Sequence, residues 1–232
     1  MTSISKNARV AGALYLLTAV TAPFSLIYIP NTLFVHGNAT ATASNILASE
    51  MLFRAGIVVN LAGGVIFIFV AMALYRLFCG VNKTLASLMV GLVLASVTIG
   101  FVGVLNDIAA LTLFRGADFL ATFEKPQRDA LGMLFLGLSH QGDVVNEIFW
   151  GLWLFPLAIL TIRSGFLPKF MGWWLILNGF AYLILSLTGL LWPQYEGTLS
   201  TYAIPAELGE LAFMLWLLIK GAKEQTVNAP AS

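Results

Sequence analysis

Three ionisable residues, His140, Asp143 and Glu147, open the otherwise apolar stretch SHQGDVVNEIFWGLWLFP. Their spacing of i, i+3 and i+7 places them within about 60° of arc on a regular helix. Glu207 and Glu210 form a second pair on one helix face in a later apolar stretch. Carboxylates and an imidazole that meet in this way can exchange protons or bind a cation. The pattern therefore indicates polar chemistry inside a hydrophobic setting.

The composition is that of a membrane protein, and it supplies the elements that carry these residues. Of 232 residues, 59% are hydrophobic and 10% are charged, whereas about a quarter are charged in soluble domains. A helix needs roughly 20 apolar residues to cross a hydrocarbon core of about 30 Å. Six segments meet this requirement: residues 10–29, 52–78, 85–114, 143–162, 170–192 and 206–219. These runs predict an all-α fold, a single six-helix transmembrane domain over residues 1–232.

The distribution of lysine and arginine predicts that both termini are cytoplasmic, because basic residues are enriched in cytoplasmic connections. With the amino terminus inside, eight basic residues lie on the cytoplasmic side, namely Lys6, Arg9, Arg76, Lys83, Arg163, Lys169, Lys220 and Lys223. Three lie outside, namely Arg115, Lys125 and Arg128. The opposite topology would invert this ratio.

The segment before the fourth span has the period of an amphipathic helix, with Leu131, Leu134, Phe135 and Leu138 on one face. One helix over residues 127–162 would be about 54 Å long, far longer than the membrane core. We therefore expect a break near Gly142, with a short interfacial helix over residues 126–139. Pro23 and Pro156 are expected to kink the first and fourth helices.

The predicted depth of the charged side chains raises a problem of charge balance. Five acids, Asp107, Asp143, Glu147, Glu207 and Glu210, are opposed inside the bundle by Arg54 alone. One ionisable side chain at membrane depth costs roughly 2.5 to 3.5 kcal/mol. Protons, a bound cation or metal ion, or water from an outward-open cavity could neutralise the excess. The candidate ligand-binding residues are Arg54, Asp107, His140, Asp143, Glu147, Trp150, Glu207 and Glu210.

A simpler interpretation explains some of these residues. Acids in the first turn of a helix are favoured by its unpaired N–H groups and its dipole, which accounts for Glu50, Asp143 and Glu207 as helix caps. Glu50 and Arg54 also have the i, i+4 spacing of a surface ion pair, and Trp150 fits a core aromatic. This interpretation leaves Asp107, Glu147 and Glu210 unexplained, since they are expected away from a helix start.

A metal site is the alternative for the same patch, with His140, Asp143, Glu147 and Glu210 as ligands or general base. It would make the protein an intramembrane metal-dependent hydrolase of a lipid or an amide. A carboxylate-rich set suits hard cations better than zinc, and the sequence contains no known hydrolase, phosphate-loop or dinucleotide motif.

Two further observations restrict the function. The net charge of +1 gives no concentrated basic face, so no nucleic-acid partner is expected. The single cysteine, Cys79, excludes an internal disulfide and a multi-cysteine metal cluster.

Three stretches, ATASNILASEMLFR, IFWGLWLFPLAIL and RSGFLPKFMGWWLI, carry a resemblance that extends over almost the whole chain, from Arg9 to Tyr195. In order and spacing they resemble the bacterial multi-pass membrane family known as domain of unknown function 4386. The resemblance implies a six-helix protein of the inner membrane and adds no catalytic assignment.

The leading hypothesis is an integral inner-membrane protein with an acidic pocket in the outer half of its bundle. That pocket would bind a cation or a small polar or amphipathic ligand, with carboxylate protonation coupled to binding. The alternatives are the metal-dependent hydrolase and a structural or assembly protein whose acids are caps and helix–helix hydrogen bonds. The expected partners are the lipid bilayer and a small ligand or ion.

Overall fold

The computed structural model describes residues 3–223, and in that range the chain is helical with no strand. The α-helices are α1 (Ser3–Pro23), α2 (Ile29–Leu33), α3 (Ala39–Ala48), α4 (Glu50–Phe78), α5 (Lys83–Arg115), α6 (Lys125–Leu152), α7 (Leu154–Arg163), α8 (Lys169–Leu191) and α9 (Glu196–Ile219). A π-helical turn, Phe24–Tyr28, joins α1 to α2.

Six helical stretches among the described residues are long and apolar enough to cross a membrane. They are Ile4–Leu33, Glu50–Phe78, Lys83–Arg115, Lys125–Arg163, Lys169–Leu191 and Pro193–Ile219. Large apolar side chains on their outer faces are exposed, for example Val20 at 65% and Leu105 at 64%. Such surfaces suit lipid rather than water. The prediction of an all-α, multi-pass membrane protein is confirmed.

Two prolines lie at interruptions of the predicted spans. Pro23 is the last residue of α1, and the π-helical turn follows it directly. Pro156 lies in the first turn of α7, just after Trp153 separates α6 from α7. Proline lacks the backbone N–H and its ring clashes with the carbonyl four residues earlier. Both interruptions occur where the sequence predicts kinks.

The predicted break near Gly142 is wrong, because α6 continues without interruption from Lys125 to Leu152. A single glycine costs a helix only about 1 kcal/mol relative to alanine, which is too little to break 28 residues of helix. The helix is simply longer than the membrane core. Whether residues 126–139 lie at the interface stays a prediction.

The last span begins earlier than predicted, at Glu196 rather than near residue 206. Glu207 therefore lies about three turns inside α9, and Asp143 lies in the middle of α6. The dipole effect fades within the first turn, so the capping interpretation of these two residues is wrong. It holds for Glu50, the first residue of α4.

The described residues form two compact units, and the first comprises residues 3–16, 67–95 and 147–223. In it, α8 packs against α7 and α9. The end of α6 approaches α8 closely, since a Cβ on Gly151 would lie 2.6 Å from the carbonyl oxygen of Gly179. Small residues permit this backbone contact between helices.

The second unit comprises residues 17–66 and 96–146. Its core joins α2 to α6, and the buried members are Ile29, Leu33, Ala43, Ile46, Phe53, Ala110, Leu111, Phe114 and Leu136. A Cβ on Gly103 would lie 3.4 Å from Ser139 Oγ, so α5 and α6 pack closely at Gly103. The assignment of the whole chain to one domain stays a prediction.

Candidate functional site

Three polar side chains lie against the carboxyl group of Glu210 in the first unit, and two of them donate hydrogen bonds to it. The hydroxyl of Tyr15 on α1 donates to Glu210 Oε1. The amide of Asn178 on α8 donates to Oε2 at 3.5 Å, and the hydroxyl of Tyr182, also on α8, lies close to the same carboxyl group. Three helices, α1, α8 and α9, thus converge on one carboxyl group.

Aromatic rings pack against the two tyrosines beside this carboxyl group. The ring of Tyr15 lies 6.2 Å from that of Phe67 and 6.0 Å from that of Trp153. Tyr182 makes an edge contact with Trp150 at 5.9 Å. Tyr15 is 5% exposed. Glu210 itself is half-buried, and electrostatic interactions are stronger in such a partly desolvated setting than in bulk water.

Acidic side chains outnumber basic ones around Glu210. No ion pair in the described part of the chain involves Glu210 or Glu207. Glu207 lies within electrostatic range of Glu210, and both Glu207 and Glu147 lie within range of the Tyr182 hydroxyl. The charge of Glu210 is thus not balanced by a neighbouring arginine or lysine.

Asn178 has an unused hydrogen-bonding atom beside this carboxyl group. The residue is fully buried, and its Oδ1 atom has no hydrogen-bond partner among the described residues. A buried acceptor without a partner costs about 1 to 3 kcal/mol. A carboxylate, an amide oxygen and two phenol oxygens form an all-oxygen donor set, which suits a proton or a hard cation.

A separate acidic pair lies in the second unit. Asp107 on α5 lies close to Ser139 on α6, whose Oγ donates to the Gly103 carbonyl at 3.2 Å. Asp143 lies within electrostatic range of Asp107. Asn146 lies about one turn after Asp143 on α6. It is 4% exposed, and its Oδ1 has no hydrogen-bond partner among the described residues.

The predicted site residues are divided between the two units. Glu147, Trp150, Glu207 and Glu210 belong to the first unit, and Arg54, Asp107, His140 and Asp143 belong to the second. The prediction of one pocket shared by all eight stays a prediction. Arg54 forms the i, i+4 ion pair, with 2.7 Å between its Nε and Glu50 Oε1.

The metal alternative gains no support from the geometry. The described residues include no group of three or more histidine, cysteine, aspartate and glutamate side chains placed to hold a metal ion. The set of His140, Asp143, Glu147 and Glu210 is therefore not proposed as a metal site.

The sequence patterns did not indicate that Tyr15, Asn178 and Tyr182 lie beside Glu210. Two signals could have indicated them. Asn178 and Tyr182 are spaced i, i+4 and so share one face of α8. Tyr15 lies in the middle of an apolar span, whereas membrane tyrosines usually lie at the interface.

Comparison with known proteins relates the chain to one family. The family described as "Domain of unknown function (DUF4386)" matches residues 10–221. The chain is also similar to an "Uncharacterized protein" of Archaeoglobus fulgidus, with 33% identity over 87 residues. That similarity covers 37% of this chain and 51% of the relative, so the chain spans about half the length of the relative it matches. No solved structure matches the chain.

Proposed function

We propose that this chain, which belongs to the family described as Domain of unknown function (DUF4386), binds a small monovalent cation at Glu210 in exchange for a proton. It is an integral membrane protein with several spans. The proposal adds a ligand and a site to that description. In the exchange, the protonated carboxyl of Glu210 releases H⁺ and the resulting carboxylate binds the cation.

One observation carries the proposal: the Glu210 carboxyl lies against the fully buried Asn178, whose Oδ1 has no partner among the described residues. A lone carboxylate at membrane depth is costly, so a proton or a cation is needed to neutralise it. A bound cation would also satisfy Asn178 Oδ1, because an amide oxygen is a good ligand for hard cations.

The two tyrosines suit both states of the carboxyl group. The Tyr15 hydroxyl donates a hydrogen bond to Glu210 and the Tyr182 hydroxyl lies close to it, so both phenols can stabilise the carboxylate when the proton leaves. Each phenol oxygen also keeps lone pairs that can accept or coordinate. The same two tyrosines can therefore contact Glu210 both when its carboxyl group is protonated and when its carboxylate binds a cation.

Cation-dependent stability tests this proposal. The purified full-length protein in detergent is titrated with Na⁺, K⁺ or methylammonium at constant ionic strength, with N-methylglucammonium as the bulky replacement. We expect a saturable rise in melting temperature with one of these probes, because ligands that bind the folded state stabilise it. The rise should disappear in Glu210→Gln.

Glu196→Gln is the matched control. Glu196 is the first residue of the same helix, and the substitution makes the same chemical change as Glu210→Gln. It should keep the cation response. An equal response in wild type and Glu210→Gln would refute the site, as would the absence of a response to all three probes.

We also propose that the protein lies in a bacterial inner membrane with both termini in the cytoplasm. Lysine and arginine are in excess in the connections predicted to lie on the same side of the membrane as the amino terminus, which supports this topology. The lipid bilayer is then the first partner of the exposed apolar side chains.

A further inference from the structure

A cavity of about 490 Å³ lies in the second unit, between the start of α4 and the end of α5. Two arginines, Arg54 and Arg115, lie on its lining, and so do Val58, Ile108 and Gly116. The proposed cation site at Glu210 involves none of these residues. The cavity thus combines positive charge with an apolar wall at one end of two membrane spans.

The two arginines share a single acid. Arg54 Nε lies 2.7 Å from Glu50 Oε1, and Arg115 Nη1 lies 3.5 Å from the same oxygen. One carboxylate cannot neutralise two guanidinium groups. Both side chains also remain accessible, with 45% of Arg54 and 56% of Arg115 exposed.

A third guanidinium lies against the cavity lining. A Cβ built on Gly116 would lie 2.4 Å from Arg128 Nη1, and glycine is also required there because its φ is +67°. Arg128 Nε is buried and has no hydrogen-bond partner in the described part of the chain. The adjacent Asp129 is already paired with Lys125 at 2.7 Å. The ion pairs that the three arginines make in the described part of the chain are those of Arg54 and Arg115 with Glu50.

The apolar side of the cavity faces outward from the unit. Val58 on α4 is 63% exposed and Ile108 on α5 is 43% exposed. Both helices are long and apolar enough to cross the membrane, so this side is where acyl chains would lie. A positive end next to an apolar groove has the shape and charge of an amphiphile with an anionic head.

We propose that this cavity binds an anionic phospholipid. Arg54, Arg115 and Arg128 hold the phosphate, for which the forked guanidinium group has matching geometry. One acyl chain lies along Val58 and Ile108. Charge complementarity selects anionic over zwitterionic lipids, since basic side chains near an anionic headgroup contribute about 1 kcal/mol each.

Native mass spectrometry of the full-length protein tests the proposal. The detergent-solubilised protein is titrated with phosphatidylglycerol or phosphatidylcholine, and bound lipids are counted. We expect wild type to prefer phosphatidylglycerol. Arg128→Gln should weaken that binding about fivefold, the equivalent of about 1 kcal/mol.

Glu50→Gln gives a prediction of opposite sign. It removes the acid that competes for Arg54 and Arg115, so phosphatidylglycerol should bind more tightly. Arg76→Gln is the matched control, because Arg76 lies in the last turn of the same helix α4 and does not line the cavity; its binding should equal that of wild type.

Four results would overturn the proposal, three of them in lipid binding. These three are equal binding of the two lipids by wild type, a loss in Arg76→Gln as large as in Arg128→Gln, and weaker binding in Glu50→Gln. Competition by inorganic phosphate as effective as that by the lipid would also overturn it, because it would indicate a site for a free anion without a place for the acyl chain.

Discussion

The side chains that contact the carboxyl group of Glu210 are uncharged. Hydrogen bonds from Tyr15 and Asn178 stabilise its carboxyl group, the Tyr182 hydroxyl lies beside it, and none of the three neutralises a negative charge. An arginine in this position would fix the charge permanently. Neutral donors leave the carboxyl group able to gain or lose a proton, which is what exchange with a cation requires.

At the residue scale, Tyr15→Phe should lower the free energy of unfolding, mainly because it removes the hydrogen bond to Glu210. The phenylalanine keeps the contacts of the ring with Phe67 and Trp153 but removes the hydroxyl donor. A double-mutant cycle with Glu210→Gln should give a coupling energy of about 0.6 to 1.7 kcal/mol, the range of side-chain hydrogen bonds in membrane proteins. Unfolding in detergent measures it.

Tyr202→Phe is the control for this cycle, because Tyr202 lies on the same helix as Glu210 and is 77% exposed. Its coupling to Glu210→Gln should be close to zero. If Tyr15 and Tyr202 gave the same coupling energy, the hydrogen bond to Glu210 would not contribute to stability.

The partners of Glu210 show what the sequence could and could not predict at this scale. The acid itself was predicted, because an ionisable residue in an apolar span is conspicuous. Tyr15 is 195 positions away in the chain, and its role depends on how α1 packs against α9. Periodicity within one helix carries no information about such a contact.

At the scale of elements, composition predicted the spans and local propensity misplaced two of their boundaries. The stretch EGTLSTYAIP has the glycine and proline of a loop, yet it forms the start of α9. The indole of Trp174 on α8 donates to the Pro205 carbonyl at 3.1 Å, so packing between helices supports this segment. Tertiary contacts overrode local propensity here.

Two glycines of α6 should respond in opposite ways to alanine. A Cβ on Gly151 would lie 2.6 Å from the Gly179 carbonyl oxygen, so Gly151→Ala should destabilise the fold by about 1 to 3 kcal/mol. Gly142 has open space around it, so Gly142→Ala should stabilise the continuous helix by up to about 1 kcal/mol.

Thermal unfolding of both variants in one detergent compares them directly. Destabilisation by Gly142→Ala would contradict a regular helix at that position. A neutral Gly151→Ala would contradict the close backbone contact between α6 and α8.

At the scale of the whole molecule, the topology proposal places the connection between α4 and α5 in the cytoplasm. Cys79 is the only cysteine of the chain and lies in this connection, partly exposed. A membrane-impermeant maleimide should therefore label it in inside-out vesicles and leave it unlabelled in right-side-out vesicles.

Asp118→Cys in a Cys79→Ser background provides the complementary measurement, because Asp118 is exposed in the connection between α5 and α6. It should label only in right-side-out vesicles. Reversed labelling of the two positions would invert the proposed topology, and labelling of both from one side would contradict an odd number of crossings between them.

Proton release on cation binding tests the central claim most directly. The cation that raises the melting temperature is added to the detergent-solubilised protein in weakly buffered solution, and the released protons are counted with a pH electrode. Wild type should release about one proton for each cation bound, and Glu210→Gln should release none. Cation binding without proton release in wild type, or equal release by Glu210→Gln, would contradict exchange at Glu210.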